Sequence, residues 1–150
     1  MCYENQIVIA LLSIAAVLAW TGMAGAQTAP PTPKVQLPNG ETVWDLNGDW
    51  DALIENSGPM AGYGTYPNVY RITQTGSTFS AIRLKAIPPP STSQAGSPSL
   101  RGELAGNGFK RVEVVTGSGS PAPCKGQISE DGKKVILEDG WTIKVTLTRP

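Results

Sequence analysis

The stretch from Trp141 to Arg149, WTIKVTLTR, is the tightest constraint on what this chain can fold into. Apolar Trp141, Ile143, Val145 and Leu147 alternate with polar Thr142, Lys144, Thr146 and Thr148. Successive side chains of a β-strand point to opposite faces, so this pattern predicts a strand with one dry face and one wet face. The same period of two recurs upstream, and no stretch after residue 26 has the apolar spacing of an amphipathic helix. An all-β domain follows.

Eight strands are predicted by this alternation. The first, at 48–55, sets Trp50, Ala52 and Ile54 on one face; the second, at 68–75, pairs Tyr70 with Ile72; the third, at 77–85, groups Ser80, Ile82 and Leu84. In the second half Leu100, Gly102 and Leu104 share a face, as do Val112 and Val114, and then Cys124, Gly126 and Ile128. A seventh strand spans 134–138, and the eighth is the stretch quoted above. Turn signals separate them: Thr75-Gly76, Gly106-Asn107-Gly108 and Asp139-Gly140, the last a strong hairpin signal. Two segments, 57–67 and 88–98, are rich in Gly or Pro and read as surface loops. Short turns make sequential strands neighbours, which gives an antiparallel meander. Eight such strands bury their dry faces by closing into a barrel, or alternatively by folding into a β-sandwich. Closure also removes the two exposed edges, and the barrel is the expectation.

The N-terminal 26 residues stand apart. Residues 7–20, IVIALLSIAAVLAW, form an apolar run, and Ala24-Gly25-Ala26 supplies the small residues of a signal-peptidase cut before Gln27. Residues 1–26 therefore read as a secretory signal, with a periplasmic or secreted destination. The leading MCYENQ departs from the usual pattern, since it has no Lys or Arg and carries Glu4. An uncleaved anchor is the alternative, because residues 7–26 are long enough to reach across a bilayer, and it is the one way a membrane would enter. Residues 27–40, with four prolines in QTAPPTPKVQLP, read as an extended linker, and 41–150 as the barrel domain.

Composition excludes several kinds of chemistry. There is no histidine, which removes Ser-His-Asp triads, Cys-His pairs and imidazole-ligated zinc. Cleavage would leave one cysteine, Cys124, so no intramolecular disulfide can form and packing alone must hold the domain. Residues 1–26 contain one acid and no base, so the 12 basic and 11 acidic residues that remain give a net charge of +1. No field of that size gathers nucleic acid.

The stretch WDLNGDWD, Trp44 to Asp51, has oxygen-bearing side chains at alternate positions and resembles a calcium loop. Such a loop needs Gly at its sixth position and Glu at its twelfth. Counted from Asp45 these are Trp50 and Asn56. The acids read instead as a turn followed by a solvated strand face, and no metal or cofactor is expected. An enzyme would have to rely on a carboxylate pair such as Asp49 or Asp51 with Glu55 or Glu103, and these lie on the wet face. No enzymatic activity is expected.

Gly48, Asp49 and Trp50 form a G-x-W at the start of the first strand, and Arg149 closes the last. This pair resembles the lipocalin and wider calycin pattern. The resemblance implies that Trp50 plugs the closed end of an eight-stranded barrel while Arg149 packs across it. The T-D-Y type motif of lipocalins is missing, and the size is nearer to avidin-like barrels. Two functions then stand open. One is a binding module that holds a small apolar ligand inside the barrel, lined by Tyr70, Ile82, Leu104, Val114 and Ile143, with Gly102 and Gly126 leaving room. The other is a structural or protein-interaction domain of the cell envelope, with a filled barrel and contacts through its long loops.

Overall fold

The alternation closes on itself. In the computed structural model, which describes residues 32–116 and 118–150, strand β10 (Ile143–Thr148) pairs antiparallel with β3 (Gly48–Asn56), so that the first and last wall strands are neighbours. Between them run β4 (Thr65–Thr75), β5 (Thr78–Arg83), β6 (Pro98–Ala105), β7 (Gly108–Val115), β8 (Pro121–Ile128) and β9 (Lys134–Glu138). Each pairs with the next in sequence, giving a closed eight-stranded antiparallel meander barrel. The barrel, not the sandwich, is the architecture. The expected export signal, its cut after Ala26 and the first part of the linker lie outside the described residues.

Inward positions carry the core and outward positions carry charge. Trp50, Ala52 and Ile54 of β3, Val112 and Val114 of β7, and Val145 and Leu147 of β10 are buried. The opposite face holds ion pairs: Arg71 with Asp49, Arg101 with Glu113, Lys110 and Arg111 with Glu103, and Lys144 with Glu55. This apolar-in, charged-out polarity is the inverse of a lipid-facing barrel wall.

The two ends differ. At one end the turns are short, β4 to β5 through Gly76 and β6 to β7 through Gly106. At the other end are a 3-10 helix (Gly58–Tyr63), the Pro-rich segment 84–97, and connections that include 118–120 and 139–142. The short-turn end is covered by a two-stranded hairpin absent from the sequence expectation. There β1 (Lys34–Gln36) pairs with β2 (Thr42–Trp44), within or beside what was expected to be an extended linker. The cue is Asn39-Gly40 between KVQL and ETVW, a hairpin signature masked by the surrounding prolines. Val43 and Trp44 of this cap, and Leu46 just after it, are buried. Gly132 sits against it with φ 69°, where a Cβ would stand 2.6 Å from the Trp44 ring.

Three further expectations are corrected. Ile82, expected in the interior, is 39% exposed. The inward residues of β5 are Phe79, Ala81 and Arg83, because Ala81 pairs with inward Ile72 and Leu100 and so sets the parity of the strand. Trp141 is 70% exposed and precedes β10 instead of belonging to it. The Asp139-Gly140 turn is not a two-residue hairpin. The Asp139 carboxylate accepts the backbone N–H groups of Trp141, Thr142 and Ile143 together with the Thr142 hydroxyl, which holds a four-residue connection and turns Trp141 outward.

The interior is filled. A Cβ on Gly102 would meet the Phe79 ring at 2.7 Å, and one on Gly126 would meet the Phe109 ring at 2.4 Å. The two rings, with centroids 5.7 Å apart, occupy the space that the glycines leave.

Candidate functional site

The closed end is built from apolar contact and backbone satisfaction. Trp50 is fully buried and donates its indole N–H to the Leu46 carbonyl at 2.8 Å. The Arg149 guanidinium lies 4.6 Å from the Trp50 ring centroid and donates to the Asp45 carbonyl. A planar cation stacked on an indole gains from the ring quadrupole while its hydrogens reach nearby oxygens. Gln74 ties the cap to the wall, accepting from Leu46 N–H and donating to the Trp44 carbonyl. The acids of WDLNGDWD serve structure here. Asp45 accepts from the backbone and side chain of Asn47, and Asp49 makes a bidentate pair with Arg71 that holds its carboxyl below the ordinary range.

The open end holds an unexpected group. Arg83 is 2% exposed and is the only fully buried charged side chain among the described residues. Its Nε donates to Ser99 Oγ at 2.9 Å, and its Nη2 donates to the carbonyls of Pro98 at 2.9 Å and Val115 at 3.2 Å. Its Nη1 has no partner, and it forms no ion pair among the described residues. An ion taken out of water costs several kcal/mol in a real protein, and three neutral oxygens offset only part of that.

Two phenols flank this cation. Tyr66 and Tyr70, on alternate inward positions of β4, are both buried. Burial pushes both hydroxyls above their ordinary range, against the opposing charge of Arg83. Tyr66 lies beside Asn56, and Tyr70 beside Ser99, whose hydroxyl accepts from Arg83 Nε and donates to the Ser97 carbonyl. Asn68, between the two tyrosines, donates to the Lys85 carbonyl and accepts the Lys85 N–H, anchoring the start of the Pro-rich segment.

A cavity of about 20 Å³ lies at this mouth, lined by Asn56, Tyr63, Tyr66, Tyr70, Arg83 and Ile143 among others. Of the five residues expected to line an interior site, the structure brings Tyr70, Val114 and Ile143 to this cavity. Leu104 is buried near the closed end opposite Phe109, and Ile82 faces outward. Larger hollows lie on the outer wall. One of about 290 Å³ is an open groove that includes Ile82, Pro98, Val115 and Pro121. Cys124 is half-buried against the core, and burial raises its thiol above the ordinary range.

Sequence reasoning missed Arg83 and Tyr66. Both fall on inward positions once the pairing of Ala81 with Ile72 and Leu100 sets the parity of β5 and β4 is extended to Thr65. The extra residues of β4 were hidden by Pro67, which the pattern treats as a breaker although it pairs with Leu53. Comparison with protein-family models, with curated proteins and with solved structures finds no match to this chain.

Proposed function

We propose that this chain is an exported, calycin-like barrel without enzymatic activity that acts as an interaction domain of the cell envelope, meeting its partner at the open end. The observation that carries this reading is the filled interior: Phe79 and Phe109 take up the space that Gly102 and Gly126 would leave for a ligand. Small-molecule sites usually occupy roughly 300 to 1,000 Å³. The mouth cavity is far below that.

The stacked Trp50 and Arg149 support the calycin likeness, and the 1–26 segment supports export to the periplasm or the medium. Of the carboxylates that an enzyme would need, Asp49 pairs with Arg71, Glu55 with Lys144, and Glu103 with Lys110 and Arg111, and Asp51 is exposed on the same outer face. At the open end, exposed Trp141 lies on a connection tied to the end of β3 by the Ser57 hydroxyl, which donates to the Trp141 carbonyl at 2.9 Å. A large aromatic held on a fixed backbone is the residue type that most often dominates a protein interface.

Photo-crosslinking in intact cells tests this. A crosslinking residue at position 141 should join the chain to one discrete envelope protein, whereas the same residue at the wall position Arg101 should not. Equal yields from both sites would sink the interaction reading. An apolar ligand inside the barrel is the second reading, favoured by Tyr70, Val114 and Ile143 meeting at the mouth. Saturable binding of a fluorescent apolar probe, lost on Val114→Trp, would favour it instead.

A further inference from the structure

Arg83 poses a problem that the interaction reading does not solve: a guanidinium 98% buried by residue surface, with no acid beside it and one nitrogen unbonded. Buried charges are normally paired, because the low local dielectric makes an unpaired one costly. The unsatisfied Nη1 belongs to a side chain that lines the mouth cavity, and so do Tyr66 and Tyr70. We propose that the barrel mouth is a binding site for small organic monocarboxylates, whose charged end takes the free Nη1 edge of Arg83 and the hydroxyl of Tyr66.

The chemistry of the site selects this class. One fixed cation matches one negative charge, and two neutral phenols add donors without adding charge, which suits a carboxylate better than a doubly charged phosphate. Lys85, the nearest other cation in sequence, is exposed. A space of about 20 Å³ holds about one water molecule, so the carboxylate enters only as the 3-10 helix shifts outward and widens the mouth. The apolar remainder of the ligand would lie outward, against Met60, Tyr63, Ile87 and Ile143, which line the same cavity. Met60 and Tyr63 belong to the 3-10 helix, which has no buried residue, so moving it aside uncovers little core. Ser99 and the Pro98 and Val115 carbonyls hold the guanidinium by its Nε and Nη2, leaving Nη1 as the free edge. Such a fixed fork lowers the ordering that a ligand must impose.

The test is an NMR titration of the full chain, followed at the Arg83 side-chain Nε–H and at the Ser99 and Val115 amides. Acetate, butyrate and benzoate are compared with acetamide, butyramide and inorganic phosphate at constant ionic strength. Saturable shifts are expected with the carboxylates alone, strengthening from acetate to butyrate as the tail gains contact. Tyr66→Phe should weaken the affinity about tenfold or more, the worth of a hydrogen bond to a charged group, and Arg83→Gln should abolish binding. If Arg83→Gln does not fold, Tyr66→Phe and the neutral amides decide. The proposal is overturned by amides or phosphate acting as well as carboxylates, by no saturable shift, or by Tyr66→Phe binding as tightly as the parent. Contacts at Trp141 play no part in these shifts, so this site and the interaction surface stand or fall separately.

Discussion

The two ends of the barrel solve opposite problems with the same kind of residue. At the closed end Arg149 lies over Trp50 and donates to the Asp45 carbonyl, and short turns and the β1–β2 hairpin cover the apolar core. Each arginine keeps one buried nitrogen unbonded, Nε of Arg149 and Nη1 of Arg83, but Arg83 at the open end is more deeply buried, stacks on no tryptophan and lines a small cavity. An arginine that completes an apolar plug serves stability. One that is fully buried beside a cavity, with no indole to stack on, is a cost to the fold, and such costs concentrate where a protein binds something. The difference separates a structural pole from a functional one.

The largest effect should come from the structural pole. Trp50→Ala removes a fully buried indole, its hydrogen bond to Leu46 and the surface on which Arg149 rests. A loss of about 3 to 5 kcal/mol is expected, in the range of large aromatic truncations in cores. Equilibrium denaturation measures it. A loss below about 1 kcal/mol would mean that the cap hairpin, and not the plug, closes this end.

A smaller effect belongs to the open end, where a single carboxylate organises the β9–β10 connection. Burial alone would raise the Asp139 carboxyl, but hydrogen bonds from the Thr142 hydroxyl and from the N–H groups of Ile143, Trp141 and Thr142 outweigh it and bring it down to about 2. In the unfolded chain the same group titrates near 3.8. A depressed value of this kind adds stability that is fully present above pH 4 and lost as the pH falls toward 2. After allowance for solvent screening the contribution is about 1 to 2 kcal/mol. Asp139→Asn should flatten the acid limb of the stability curve between pH 4 and 2, read from thermal melts. An unchanged acid limb would show that the loop is held by Ser57 and not by Asp139.

The barrel wall was legible in the sequence, and neither the hairpin over the closed end nor the buried cation at the open end was. Strict alternation from Ile143 to Leu147, the position of Trp50 and the trailing Arg149 were enough to place the barrel and its plug, because strand parity is set by bulky apolar residues at every second position. Ile82 misled for a related reason. In TFSAIR, apolar residues occupy both parities, and only the neighbours of β5, Ile72 and Leu100, show that Phe79, Ala81 and Arg83 point inward. A lone strand carries no record of its partners. Arg83 was invisible for the further reason that charged side chains are rarely buried, so pattern reading places them outside. Trp141 read as core by its spacing, and the hydrogen bonds gathered by Asp139 move it out, a tertiary effect that no period reveals.

The smallest effect should come from Arg83, and its smallness is informative. Arg83→Met keeps most of the side-chain volume and removes a buried unpaired charge, but it also strips partners from Ser99 Oγ and from the Pro98 and Val115 carbonyls. The relief of desolvation and the loss of three hydrogen bonds oppose each other, and replacing buried ionic groups by apolar ones of similar size is often neutral or stabilising. A change within about 1 kcal/mol of zero is therefore expected, beside a clear loss for Arg149→Met, which gives up both the stack on Trp50 and the hydrogen bond to the Asp45 carbonyl. If Arg83→Met instead costs more than about 3 kcal/mol, Arg83 is a latch between β6 and β7, and the contrast between the two ends fails. If both arginines can be replaced without loss, the plug contributes no stability through its cation, and Trp50 alone holds the closed end.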